Sequence, residues 1–235
     1  MIKLGIIGAM EIEVALLKEQ LLDMKVTRRL DTDFCEGILR GLPVVIVRSG
    51  VGKVNAALCV QVLADLFGVT HIINTGIAGS LDNELDIGDL VVATEAMYHD
   101  MQVGVFGFPR GQVPGMDVQA FPSDPNLADA AAAACDCQGV RYKRGRIVSG
   151  DQFVGSGAVK DDILRNCGGL CVEMESAAIA HAAYRNGIPF TILRAISDKA
   201  DDSATMDYST FETQAAKNCA AITASLAQSL VNRNM

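Results

Sequence analysis

The chain has 235 residues, half of them hydrophobic, and a formal net charge of −8; the length fits one large α/β domain as well as two small ones, and the acidity argues against nucleic-acid binding, where phosphate neutralisation supplies most of the affinity. No apolar stretch reaches the about 18 uncharged residues of a membrane span, and Glu11 and Glu13 cut short the opening run Ile2 to Met10, so neither an anchor nor an export signal is expected. Seven cysteines without a C-x-x-C pair, and three histidines remote from paired thiols, point away from zinc and toward buried thiols in a reducing cytoplasm.

In chain order, Lys3 to Gly8 reads as a strand and Ile12 to Leu22 as the helix after it. Phe34 to Leu39 and Pro43 to Arg48 form a hairpin turned at Arg40-Gly41-Leu42. Val54 to Leu66 is helical, with Leu58, Val62 and Leu66 on one face. His71 to Asn74, Asp89 to Thr94, Arg146 to Ser149 and Leu170 to Val172 are further strands. Ser176 to Arg185 is a helix, Phe190 to Ala195 a strand, and Phe211 to Val231 a long closing helix. The densest basic group, Arg141, Lys143, Arg144 and Arg146, alternates like a strand with a solvated basic face. Alternating strands and helices predict a three-layer α/β/α sandwich around a mixed, largely parallel central sheet. Continuous apolar runs such as Val44-Val45-Ile46-Val47 predict a sheet covered on both faces. With no repeat, linker or composition break, residues 1–235 are read as one domain.

Between Tyr98 and Pro125 no period persists, while Gly104, Gly107, Gly111 and Gly115 punctuate a segment that also carries Met101, Val103, Phe106, Phe108 and Val113. A loop this long is functional or disordered. Its apolar content argues for a lid or an interface.

Ligands of open α/β sheets bind beyond the carboxyl ends of the strands. Following the strands are Gly8-Ala9-Met10-Glu11-Ile12-Glu13, Ser49-Gly50-Val51-Gly52-Lys53, Thr75-Gly76-Ile77-Ala78-Gly79, Ser149-Gly150-Asp151-Gln152-Phe153, Glu173-Met174-Glu175 and Ser197-Asp198. Ser49 to Lys53 ends like a phosphate loop, but Val47 replaces its first glycine and Val54 its Ser/Thr. Gly5-x-x-Gly8 lacks the dinucleotide spacing. Glu13, Glu175 and Asp198 each follow a strand or open the helix after it. One such acid is commonly a cap or a dipole partner. Three at one sheet edge suit the cleavage of a glycosidic bond, where one carboxyl protonates the leaving group and another assists water.

These blocks, together with Asn74-Thr75-Gly76, Tyr98-His99-Asp100, Val172-Glu173-Met174-Glu175-Ser176-Ala177-Ala178-Ile179-Ala180 and Ile196-Ser197-Asp198, resemble the 5'-methylthioadenosine/S-adenosylhomocysteine nucleosidases of the nucleoside phosphorylase superfamily. The resemblance runs in family order over essentially the whole chain. It implies a single α/β/α domain acting as a homodimer on a small nucleoside, without a cofactor or metal. It also implies hydrolysis of methylthioadenosine, S-adenosylhomocysteine and 5'-deoxyadenosine in methionine salvage. In this reading Asp198 holds the adenine edge and protonates N7, and Glu13 deprotonates the attacking water. Glu175 and Met174 grip the ribose, Phe153 stacks on the purine, and the backbone of Val154 reads the amino edge. Arg194 and Ser197 orient the acids. Met10, Val51, Ala78, Gly79, Glu173 and Tyr208 complete the substrate contacts. Val103, Phe106, Phe108 and Pro114 line the 5'-substituent pocket, partly from a neighbouring subunit. Two positions depart from the family pattern: Ile77 stands where serine is frequent and Tyr208 where phenylalanine is common.

Adenine leaves poorly until protonated, and the ribosyl carbon becomes cationic as the bond breaks. Asp198 must therefore hold a proton near neutrality, which burial can arrange. Three alternatives differ in chemistry. A purine nucleoside phosphorylase needs cationic donors for phosphate, and Arg48 is the only guanidinium near the two glycine-rich turns. A 6-amino-6-deoxyfutalosine hydrolase would reuse the same adenine contacts. A non-catalytic nucleoside sensor would need fewer acids.

Overall fold

The structure, a computed structural model, describes residues 2–231. The chain runs β1 (Leu4–Gly8), α1 (Glu11–Lys18), β2 (Leu22–Arg29), β3 (Thr32–Leu39), β4 (Leu42–Arg48), α2 (Lys53–Asp65), β5 (His71–Ser80) and β6 (Leu90–Tyr98). It continues through β7 (Phe121–Pro122), α3 (Pro125–Gln138), β8 (Tyr142–Ser149), α4 (Gly157–Asn166), β9 (Cys171–Glu173), α5 (Ser176–Arg185), β10 (Phe190–Asp198) and α6 (Ala204–Val231).

β1 lies between β4 and β5, parallel to both, and β10 joins β5 in parallel. β10 then meets β6 antiparallel, β6 meets β8 and β8 meets β9 in parallel, and β9 returns antiparallel to β5. Five strands thus close into a ring, and β1, β4, β3 and β2 extend from it as an arm.

Alternation along β4 shows why both sheet faces are covered. Val44 and Ile46 join a core shared with α1, α3 and α6, whereas Val45 and Val47 join one shared with α2 and α5. Each face therefore removes its own set of aliphatic side chains from water, at about 25 cal/mol per Å². A smaller cluster under α4, including Val148, Ile163 and Val172, closes the ring's far side.

Several boundaries differ from the sequence expectation. α1 stops at Lys18, and Leu22 opens β2 instead. β2 escapes a hydrophobic-pattern reading because it is an edge strand whose side chains are almost all exposed. α3 and α4 were not expected from the sequence; Asp124 caps α3 by accepting from the Leu127 N–H, with Pro125 at its first turn. α6 begins at Ala204, before Phe211. Thr75 to Gly79, expected as a loop, continues β5, because Leu193 to Asp198 of β10 pair with it. The segment between β6 and α3 holds only a 3-10 turn at Gly104–Phe106 and β7. Among the described residues no helix is long and apolar enough to cross a membrane.

Candidate active site

A cavity of about 300 Å³ opens at the carboxyl edge of β1, β5, β9 and β10. It is lined by Ala9, Met10, Glu13, Val51, Ile77, Ala78, Gly79, Phe153, Val172, Glu173, Met174, Glu175, Ser197, Asp198 and Tyr208. Among the described residues, four carboxylates and no lysine, arginine or histidine face this space. The three acids that the sequence analysis singled out are brought together.

Glu13 is 3% exposed and sits in the first turn of α1. Its Oε2 accepts from the Ala9 and Met10 N–H groups at 2.6 and 2.9 Å, as an acid in the first helical turn can. Its Oε1 accepts from the Ile77 N–H at 3.0 Å. Burial nevertheless raises its pKa, against the Arg194 charge and those three N–H groups. The carboxyl is held in place by backbone alone, so its orientation does not depend on flexible partners.

Asp198 ends β10 and is 2% exposed. Oδ2 accepts from Ser197 Oγ at 2.8 Å and Oδ1 from the Ala200 N–H at 2.9 Å. Burial outweighs both bonds and raises its pKa, the direction a proton donor needs. Gly79 makes room for it, because a Cβ there would lie 2.6 Å from Asp198 Oδ1 and 2.9 Å from the Ala200 Cβ.

Glu173 and Glu175 are two residues apart and titrate in opposite directions. Burial pushes Glu173 up, but the Arg194 charge, Ser149 and backbone N–H groups outweigh it and hold its pKa below the ordinary value. Arg194 Nη2 donates to Glu173 Oε2 at 2.7 Å, Ser149 Oγ donates to Oε1, and the Glu175 and Ser176 N–H groups at the start of α5 donate to Oε2. Glu175 has one such bond, from the Gly52 N–H at 2.7 Å. Burial, and then the Glu173 charge, push it up to about 8.

Arg194 is 1% exposed and lies behind the lining rather than in it. Nη2 also donates to Asn74 Oδ1 at 2.6 Å and to Ser176 Oγ at 2.9 Å. Buried carboxylates on three sides hold its pKa up in spite of burial. Gly76 lies between Arg194 and Glu13: a Cβ there would collide with Arg194 Nη1 and Glu13 Oε1. The neutral frame of Asn74, Ser149 and Ser176 was not expected from the sequence, nor were Ala9, Ile77 and Val172 as lining.

Val154 lines a small adjoining cavity with Phe153 and Asp198. Phe153 meets Tyr208 edge-to-face at 5.7 Å, and Tyr208 Oη donates to Met10 Sδ at 3.2 Å. Val103, Phe106, Phe108 and Pro114 do not line this chain's cavity. Phe106 and its neighbour Val105 are 75% and 87% exposed.

Known proteins resemble this chain over nearly its whole length. The Phosphorylase superfamily model matches residues 3–228. The 5'-methylthioadenosine/S-adenosylhomocysteine nucleosidase of Staphylococcus carnosus (strain TM300) is 40% identical over 228 residues, 97% of this chain and 100% of the relative. The crystal structure of the Neisseria meningitidis enzyme of that name, in complex with methylthio-immucillin-A, superposes with a TM-score of 0.95 at 38% identity. The match covers 97% of this chain and 100% of that one. The native structure of futalosine hydrolase of Helicobacter pylori strain 26695 superposes with a TM-score of 0.93 at 31% identity, covering 97% and 98%. This chain belongs to the phosphorylase superfamily and, within it, to the family of the 5'-methylthioadenosine/S-adenosylhomocysteine nucleosidases.

Proposed function

We propose that this protein hydrolyses the N-glycosidic bond of 5'-methylthioadenosine and S-adenosylhomocysteine, releasing adenine and the 5-substituted ribose. The observation that carries the reading is a cavity lined, among the described residues, by four buried carboxylates and no cationic side chain. Such a lining stabilises positive charge on the breaking sugar and suits water as nucleophile better than a phosphate dianion. Arg48 faces a separate polar surface depression with Glu11 and Asp33, so it offers phosphate no help in the cavity.

In the proposed mechanism Asp198, its proton retained through burial, protonates adenine N7 as the bond lengthens. Ser197 and the Ala200 N–H fix the acid's direction. Glu13 orients the water and takes its proton; its raised pKa makes it a stronger base once ionised. Glu175 in its ionised form accepts from the ribose hydroxyls, and the cationic sugar favours that form. Met174 packs beside it, Phe153 stacks on the purine, and the Val154 backbone reads the amino edge. Glu173 keeps Arg194 neutralised and the floor of the cavity rigid. Val51, Ala78, Gly79 and Met10 supply shape.

The loop with Val103, Phe106, Phe108 and Pro114 is proposed to complete the 5'-substituent pocket of a second copy in a homodimer, which its exposed aromatic and aliphatic side chains support. Seven free cysteines, six of them buried, fit a reducing cytoplasm.

Incubation with methylthioadenosine, with and without phosphate, tests the reading. Free adenine and methylthioribose are expected in both. Methylthioribose 1-phosphate formed only with phosphate would replace hydrolysis by phosphorolysis. The superposition on futalosine hydrolase makes 6-amino-6-deoxyfutalosine the second substrate to try. Faster turnover of it than of methylthioadenosine would reassign the substrate.

A further inference from the structure

Three segments that flank the cavity meet outside it at one lysine. Lys53 opens α2, directly after the turn that brings Val51 to the cavity and the Gly52 N–H to Glu175. Its Nζ donates to Asp100 Oδ2 at 2.6 Å and lies 3.6 Å from Asp151 Oδ2. Asp100 follows the end of β6 and starts the long irregular segment that carries Val103 and Phe106. Asp151 starts the turn that brings Phe153 to the cavity wall. The three side chains are also cross-bonded through backbone. The Lys53 N–H donates to Asp151 Oδ1 at 2.9 Å, and the Asp151 N–H donates to Asp100 Oδ2 at 3.0 Å. The ammonium further lies 5.4 Å from the centre of the Tyr98 ring.

We propose that Lys53, Asp100 and Asp151 form a clamp of positioning residues that holds the Val51–Gly52 and Phe153 turns against the cavity and keeps the Gly52 N–H on Glu175. This inference rests on the nucleoside hydrolysis proposed above.

A surface ion pair by itself contributes little. This one differs in geometry. Lys53 and Asp100 side chains are 24% and 27% exposed, each charge has more than one partner, and the partners come from three separate segments. Without the clamp, nothing else among the described residues bonds the Lys53 N–H, and Val51 and Phe153 remain about half exposed on turns of their own. The clamp touches no atom of the cavity lining except through the backbone next to it, so its loss should act on affinity and on Glu175 rather than on bond cleavage.

Glu175 gives the clamp a readout that simple bracing does not have. The groups facing it are Glu173 from β9, Arg194 from β10, Glu13 from α1 and the Gly52 N–H from the turn before α2. Of these, only the Gly52 bond depends on the clamp. That bond favours the ionised carboxylate, so its loss moves the titration of Glu175 upward.

The test uses the full chain carrying Lys53→Met, which keeps the stem over Tyr98 but removes the ammonium. Lys53→Arg serves as the conservative variant and Asp151→Asn as a milder lesion at an exposed site. With methylthioadenosine, Lys53→Met is expected to raise KM about tenfold while kcat stays within about threefold. The acid limb of kcat/KM against pH should shift to higher pH. Lys53→Arg should restore most of both, and Asp151→Asn should change them in the same direction by less. If the wild-type chain releases no adenine, the hydrolase reading fails first. With an active wild type, three outcomes overturn the clamp: an unmoved KM and acid limb with only a lower Tm, an equal rise of KM in Lys53→Arg, or no change in any variant. If Lys53→Met does not fold, Asp151→Asn decides by the same KM and pH criteria.

Discussion

The floor and the rim of the cavity are built on different principles. The floor consists of Arg194, Glu173, Asn74, Ser149 and Ser176, all below 10% exposed and bonded to one another. The rim consists of Val51, Phe153 and Tyr208 on turns and a helix start, with the first two about half exposed. The floor fixes how many charges the cavity holds and which of them keep protons. The rim fixes how tightly a ligand is enclosed. Damage to the floor should therefore cost stability and chemistry, and damage to the rim should cost affinity.

The largest effect belongs to Arg194→Met. It leaves Glu173 buried beside Glu175 and Glu13 without its compensating charge, and breaking a buried pair from one side costs roughly 3–5 kcal/mol. Urea denaturation should show a loss of that order, and activity should be abolished. A variant as stable as wild type would mean that the floor is not organised around this guanidinium.

Next in size is Asp198→Asn. The side chain keeps its shape and can still hydrogen-bond the base, but it carries no proton to transfer. kcat for adenine release should fall about 10²-fold or more, as for loss of a general acid, while affinity measured by calorimetry with methylthioadenosine changes little. Near-normal turnover would remove Asp198 from the chemistry.

A third effect separates Glu173 from Glu175 by pH. Glu175 titrates at about 8 in the folded protein, above its ordinary value of 4.5. Between those pH values the folded state holds a proton that the unfolded state has lost, so stability contributed by Glu175 falls as pH rises through that window. Glu173 has the opposite sign: its pKa is lowered, so its contribution is present above the ordinary carboxylate range and is lost on acidification. The ligand-free protein should lose thermal stability from pH 5 to 8, and Glu175→Gln should flatten that slope. An unchanged slope in the variant would place the buried proton elsewhere.

The sequence exposed the chemistry of this site more readily than its support. Glu13, Glu175 and Asp198 were legible because each follows an apolar strand, and a sheet delivers such residues to one edge. The arm and its buried strands were legible from runs such as Val44 to Val47. β2 was not, because an exposed edge strand carries no apolar pattern. Asn74 and Ser176 were invisible as partners because neutral polar residues about a hundred positions apart leave no periodic trace, and only the closed ring brings them to Arg194. Thr75 to Gly79 looked like a loop because glycine suggests turns. Here Gly76 and Gly79 are strand residues that leave space for Glu13, Arg194 and Asp198. Composition marked these glycines, but only three-dimensional proximity explains them.

The smallest effect is the sharpest check on the division between floor and rim. Tyr208 opens toward the cavity from the start of α6, and its ring packs edge-to-face on Phe153. Its hydroxyl donates to the Met10 thioether, a weak acceptor. Tyr208→Phe keeps the ring contact and removes the hydroxyl, with its interaction with the Glu212 carboxylate and its Met10 bond, the latter worth about 1 kcal/mol or less. KM for methylthioadenosine should change by no more than about threefold, with kcat unaffected. A tenfold fall in kcat would show that the hydroxyl reaches the reacting sugar. Tyr208 would then belong with the acids, and the rim would take part in bond cleavage as well as enclosure.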